Sequence, residues 1–373
     1  MIAIVAGALA NKAWNGGNAW ARLSWTQGFE RLGVETFFVE QLQPGAPADA
    51  ITYFERVTKE FGLTGRSALL DQSGARVHGL ARAELERVAS NADLLVNMGG
   101  HLSDDRLKRA VGRRLYLDDD PGYTQFWHAA GNGSSRLAGH DHYMTFGARI
   151  GRGSCSIPSN GIQWMGIVPP VVLADWPVTA TGPGRFTTVG TWRGPYGPVE
   201  YRGRRYGQKV HEFRKVVDLP QRVEAEFELA LAIDPSETTS IDLLARRGWH
   251  LVDPGAVAHD PRAFRRYVQG SGAEFSVAQA IYVETRGGWF SDRTTRYLAA
   301  GKPVVVQDTG FSDWIQVGKG LLAFTTFEEA VSCADEVLAD YEGHAQAARA
   351  LAEKHFDSDL VLGGLLTQIG LAR

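Results

Sequence analysis

The sequence predicts an α/β protein in two halves of similar size, and three observations carry that reading. At 373 residues the chain exceeds the roughly 250 to 300 at which a single hydrophobic core stops growing. Short β-branched apolar runs of strand length alternate with helical patterns along both halves. Between the halves, residues 176–185 break all periodicity with Pro177, Gly182, Pro183 and Gly184, which marks a linker. The expected organisation is a first domain over residues 1–178, a second over 179–354, and a C-terminal helix over 355–373 placed to pack back on the first.

Residues 2–6 form a β-branched apolar run that reads as the buried first strand of a parallel sheet. The run mimics a secretory segment ending in Ala8-Leu9-Ala10, but it has no basic residues before it, which favours the strand. A polar loop, Asn15-Gly16-Gly17-Asn18, leads into a helix with Ala21, Trp25, Gly28, Phe29 and Leu32 at helical spacing and Gly33 as its stop. A strand at 35–39 completes a β-loop-α-β unit. Further strands are expected at 94–97, ending in Met98-Gly99-Gly100-His101, and at 114–117, ending in Asp118-Asp119-Asp120-Pro121. Loops at the carboxyl ends of parallel strands form the ligand crevice, so these three loops are expected to face one cleft. In the second half the expected strands are 186–190, 229–233, 249–252, 280–283 and 304–306, with helices at 289–300 and 327–341.

Composition narrows the function. Hydrophobic residues at 44% and charged residues at 22% exclude disorder and collagen-like structure. A net charge of −3 lacks the basic excess of a dedicated nucleic-acid binder, so a small partner is expected. No apolar run approaches the ~20 residues that span a bilayer. Cys155 and Cys333 are too distant in sequence to suggest a disulfide framework or a metal knuckle, and a cytoplasmic setting is expected.

Residues 287–306 are the most informative stretch. Gly287 and Gly288 open a helix whose unpaired N–H groups and positive dipole end can hold an anion, and Gly301 and Pro303 close it before Val304-Val305-Val306. A phosphate seat is therefore expected near Gly288, Trp289, Phe290 and Ser291; a helix that merely follows a flexible loop is the plain alternative. The ending Tyr297-Leu298-Ala299-Ala300-Gly301-Lys302-Pro303-Val304-Val305, with Asp308-Thr309-Gly310-Phe311 after it, resembles the nucleotide-sugar half of GT-B glycosyltransferases. Many of these carry Glu-Ala-Met-Ala-x-Gly-x-Pro-Val-Val at this point. Trp289-Phe290-Ser291-Asp292-Arg293 and Tyr206-Gly207-Gln208-Lys209 are similar to phrases in an actinobacterial-type group of glycosyltransferases whose substrates are uncharacterised. The resemblance covers nearly all of the chain. It implies two Rossmann-like domains facing each other across a cleft. A nucleotide-sugar donor would lie on the second as co-substrate and a small-molecule acceptor on the first, with no other cofactor and no metal.

The chain departs from the family at one point. Retaining members often carry two glutamates in an E-x7-E arrangement, and here Gly288 and Arg296 stand in their places. The ribose contact is then expected from Asp292, Asp308 or Glu274, with Asp292 first because it lies in the helix's first turn. The resemblance also implies an arginine and a lysine that neutralise the donor diphosphate, and Arg193 and Lys209 are the residues expected. Gly17 is expected to approach the donor phosphate or the acceptor, a tight βα turn being the alternative. For the base, His101 follows a strand and two glycines and is ranked first, with Asp119 and Asp120 as competitors.

The function expected is metal-independent transfer of a sugar from a nucleotide donor to a small acceptor. One alternative is a GT-A transferase in which Asp118 and Asp120 hold a divalent ion, against which the second α/β half tells. The other is a nucleotide-sugar-binding protein without catalysis, which the missing glutamates make thinkable.

Overall fold

A computed structural model describes residues 1–153 and 155–372. The first half builds one sheet from β1 (Ile2–Ala6), β2 (Glu35–Gln41), β3 (Ser67–Leu70), β4 (Arg76–Gly79), β5 (Leu94–Met98), β6 (Arg113–Asp118), β7 (His142–Thr145) and β8 (Met165–Gly166). Its order is β4-β3-β2-β1-β5-β6-β7-β8, parallel throughout except for the antiparallel edge pair β3 and β4. The second half contains β9 (Arg185–Thr191), a hairpin of β10 (Val199–Tyr201) and β11 (Arg204–Tyr206), then β12 (Glu226–Ala232), β13 (His250–Leu251), β14 (Ala273–Ser276), β15 (Val304–Gln307) and β16 (Leu321–Phe324). Its sheet runs β13-β12-β9-β14-β15-β16, all parallel.

Both sheets reverse their winding beside their first strand, between β1 and β5 and between β9 and β14. A crevice forms at the carboxyl end of such a switch point, because the chain leaves the two strands towards opposite faces. The apolar runs that form these central strands are buried on both faces, Val5 and Val96 on one face and Ile4 and Leu95 on the other in the first sheet, and Val304 and Val305 in the second.

The halves are pressed together by the helix Gly16–Arg31. Trp20 on that helix meets Trp176 at 5.1 Å between ring centroids and donates its indole N–H to the Pro261 carbonyl at 2.8 Å. Gly16 permits the approach, since a Cβ there would lie 2.0 Å from the Asp260 carbonyl oxygen. The helix Ser358–Gln368 lies on the same helix, with Arg31 paired to Asp359 at 2.7 Å. No helix among the described residues is long and apolar enough to cross a membrane.

The structure corrects several expectations. Residues 280–283, expected as a strand, belong to the helix Ala280–Thr285, and the strand is β14, seven residues earlier. Ala280, Ile281 and Tyr282 are all buried, and a short apolar run buried all round carries no period to separate helix from strand. The helix expected at 289–300 spans only Asp292–Ala299, with Ser291 as its cap. Before it, Trp289 forms a bridge to Gly147 and Gly288 adopts a φ of 80°. The helix expected at 327–341 stops at Ala339, where Asp340 caps a new helix, Tyr341–His355.

Candidate functional site

The facing carboxyl ends enclose a cleft with a second-sheet side, a first-sheet side and a junction between them. On the second-sheet side a cavity of about 260 Å³ is lined by Gly190, Lys209, Ser291, Asp292 and Arg293, and across it by Asn15, Gly17 and Asp120. Arg293 donates through Nε to Glu274 at 2.7 Å and through Nη1 to the Val189 carbonyl at 2.8 Å. Glu274 is fully buried, so its charge fixes the guanidinium at the end of β9. Lys209 opens the helix Lys209–Arg214, whose start is held by its backbone N–H on Gln279 at 2.8 Å. Burial, and then the neighbouring Arg293, push the Lys209 ammonium down to about 7. A Cβ on Gly190 would lie 3.3 Å from Lys209 Nζ and 3.5 Å from Arg293 Nη1, so the absent side chain leaves both cations facing the cavity. Two adjacent cations with one carboxylate between them form a seat for an anion of more than one charge.

On the first-sheet side a cavity of about 360 Å³ is lined by Lys12, Arg22, His101, Asp119, Asp120 and Trp127, among others. The Asp118-Asp119-Asp120 run at the end of β6 divides its labour. Asp118 is fully buried and accepts from Thr124, Gln125 and Thr145, each at 2.7 Å, so it braces the loop and has no oxygen to offer a metal. Asp119 pairs with Arg22 at 2.6 Å; against the cost of burial, Arg22 and Lys12 hold its carboxyl below the ordinary range. Asp120 accepts from two phenols of the other half, Tyr282 at 3.0 Å and Tyr196 at 3.1 Å. Burial and the charge of Asp119 push the Asp120 carboxyl up, towards greater affinity for a proton. His101 goes the other way: burial holds its imidazole below the ordinary histidine range, and its Nδ1 is buried without a partner. Two carboxyl groups with opposed shifts in one cleft are the usual mark of divided acid and base roles.

The structure brings Gly17, Lys209, Trp289, Ser291, Asp292 and Asp120 together in the second-sheet cavity, and His101 with Asp119 in the other. Several expected residues lie elsewhere. Arg193 is tied to Glu237 at 2.6 and 2.9 Å and does not line the cavity. Glu274 meets Arg293 rather than the cavity. Gly288 donates its N–H to the Thr309 carbonyl at 2.9 Å, so that group is already satisfied. Phe290 is core, stacked on Phe356 at 5.0 Å. Asp308 caps its own turn through Gly310 and Ser312 and pairs with Arg286 at 3.1 Å. Sequence reasoning missed Arg293, Arg22 and Lys12. Arg293 stood inside a stretch singled out for its glycines, and its position in the first helical turn was the available signal.

One group of three metal-capable side chains with ligand atoms within reach of one another occurs among the described residues: Glu226, Glu228 and His250. They sit at the amino ends and outer edge of the second sheet, away from the cleft, and Glu228 already pairs with Arg185 at 2.9 Å.

No protein-family description and no curated protein sequence matches the chain. Solved structures do. A glycosyltransferase involved in avilamycin A biosynthesis, AviGT4, is 14% identical with a TM-score of 0.58, over 99% of this chain and 96% of that one. An α-glucosyltransferase in complex with UDP is 10% identical with a TM-score of 0.63 over 99% of each chain. Alr3699/HepE of Anabaena, in complex with UDP and glucose, is 10% identical with a TM-score of 0.60 over 99% of each chain. The chain therefore has the GT-B fold, two Rossmann-like domains across a cleft, and the GT-A alternative falls with it.

Proposed function

We propose that the protein is a glycosyltransferase that moves a sugar from a nucleotide-sugar donor, held against the second sheet, to a small acceptor held against the first. One observation carries the reading. Lys209 and Arg293 converge on a side-chain-free Gly190 at the end of β9, the switch point where a parallel sheet binds ligands. As the sugar leaves, charge develops on the nucleoside diphosphate, and two fixed cations stabilise it more in the transition state than in the ground state. These cations take the part that a divalent ion plays in metal-dependent transferases, which supports a metal-independent reaction. That the similar α-glucosyltransferase and HepE structures contain UDP makes a uridine diphosphate donor the first to test.

Asp120 is the better candidate than His101 for the group that receives the acceptor proton. It borders the cavities on both sides of the cleft, and burial and the charge of Asp119 raise its proton affinity, which strengthens it as a base. His101 borders only one, and burial weakens it as a base. Asp119, ionised beside Arg22, keeps a fixed negative charge next to the reacting centre. Asp292, in the first turn of the helix that borders the donor cavity, remains the proposed ribose contact.

The test is release of UDP from UDP-glucose in the presence of EDTA, with and without a panel of hydroxyl acceptors. Acceptor-dependent release is expected. UDP-sugar binding with no release under any acceptor favours a binding protein, and release that requires an added divalent ion contradicts the cationic donor site.

A further inference from the structure

The two cavities meet in a third of about 140 Å³, lined by Lys12, Arg22 and Arg296 on one account of charge and by Asp119, Asp120 and Asp292 on the other. Arg22 is 8% and Arg296 1% exposed, and each has an Nε buried without an acceptor. Their charges are met unequally. Arg22 has Asp119 at 2.6 Å. Arg296 comes no closer than 3.8 Å to the Asp292 carboxylate, and its hydrogen bonds go to neutral groups: the Asp292 carbonyl, the Thr295 hydroxyl at 3.2 Å and the Ser24 hydroxyl at 3.1 Å. Burial first, and then the nearness of Arg22, hold the Arg296 guanidinium below its ordinary pKa against the pull of Asp292.

A guanidinium buried with so little counter-charge destabilises the fold unless something else compensates it. A bridge to Ser24 alone would need no charge. The three carboxylates do not fill the gap, since Asp119 is committed to Arg22, Asp120 is engaged by the phenols of Tyr282 and Tyr196, and Asp292 lies in the partly exposed first turn.

We propose that Arg296, together with Arg22, forms a subsite for a carboxylate carried either by the sugar in transit or by the acceptor that receives it. The proposal rests on the reading of the cleft as a glycosyltransferase site and narrows its substrate class to acidic sugars or acidic acceptors. Both sources fit the position of the subsite, which shares Ala21, Trp289 and Asp292 with the donor-side cavity and Lys12 and Asp119 with the other.

The experiment is calorimetric titration, in EDTA, of the native protein and of Arg296→Met. UDP alone should bind both alike, because Arg296 does not line the diphosphate cavity. In one arm UDP-glucuronate is compared with UDP-glucose; in the other, glucuronate with glucose on the UDP-saturated protein. In at least one arm the native protein should prefer the carboxylate by about tenfold or more, and the preference should vanish in Arg296→Met. The arm that responds identifies the source. No preference in either arm, or one that survives Arg296→Met, overturns the proposal. If UDP fails to bind the native protein, the UDP-donor reading falls by itself, and the glucuronate and glucose arm repeated without nucleotide still decides the subsite. Thermal unfolding is the second readout. Removal of an uncompensated buried charge should leave Tm unchanged or raise it, whereas a clear fall would make Arg296 a structural clamp and overturn the proposal.

Discussion

Held to about 7 by burial and by Arg293, the Lys209 ammonium is only half protonated near neutral pH, although the ligand proposed for it needs the charged form. A bound diphosphate raises that pKa, so binding near pH 8 should draw a proton from the buffer. Calorimetry in buffers of different ionisation enthalpy should detect this uptake in the native protein and not in Lys209→Met. The sign for stability follows from the same shift. Between about pH 7 and the ordinary lysine range near 10.4, the unfolded chain binds the proton that the native state has lost, so this residue makes the unliganded protein more stable as pH rises through that window. Asp120 yields a kinetic expectation: a positioned base contributes typically 10²- to 10⁴-fold, so Asp120→Asn should lower kcat at least about a hundredfold while UDP affinity barely changes. His101→Ala should cost much less, and a larger loss from His101→Ala would restore the histidine as base. At this scale the sequence was only partly legible. The aspartate loop could be picked out because it follows a strand end, and Lys209 through the family resemblance. The exchange of Arg193 for Arg293 could not, because it depends on Glu237 and Glu274 each claiming one arginine from a distance of 44 and 19 residues.

Among the elements, the helix Gly16–Arg31 has the most exacting fit. Its first residue sits where a Cβ would strike backbone 2.0 Å away, and backbone cannot rotate aside as a side chain can. Gly16→Ala should therefore destabilise the protein by roughly 1 to 3 kcal/mol, the usual range for overpacking. Gly363→Ala is the control, since that helical glycine has nothing within 4 Å of the added atom and alanine is the better helix former by about 1 kcal/mol. Chemical denaturation that showed both substitutions alike would remove the argument for close approach at Gly16. The glycines at 16 and 17 were expected in a loop but form the first turn of the helix, capped by Asn15, and their service to packing was not legible, because the partner carbonyl lies more than 240 residues away. The same limit explains the error at 280–283. An apolar run without a period leaves the choice between strand and helix to the neighbours it meets in the fold.

Taken as a whole, the molecule is not two independent cores on a tether. One continuous apolar cluster contains Val5, Trp20, Phe38 and Trp176 of the first half together with Phe264 and Tyr297 of the second. Asp120 adds two hydrogen bonds across the cleft. Scanning calorimetry should accordingly show a single cooperative transition, and two resolved transitions would mean that the shared cluster is too weak to couple the halves. The doubly wound architecture was legible because fully buried parallel strands write continuous β-branched runs. The central claim is that the cleft takes a nucleoside diphosphate without a metal, on Lys209 and Arg293. The most direct measurement is calorimetric titration of UDP, ADP and GDP in EDTA into the native protein, Lys209→Met and Arg293→Met. One-to-one binding of at least one nucleotide, weakened about tenfold or more by each substitution, is the result predicted. No binding of any of the three, or binding that neither substitution disturbs, would contradict it.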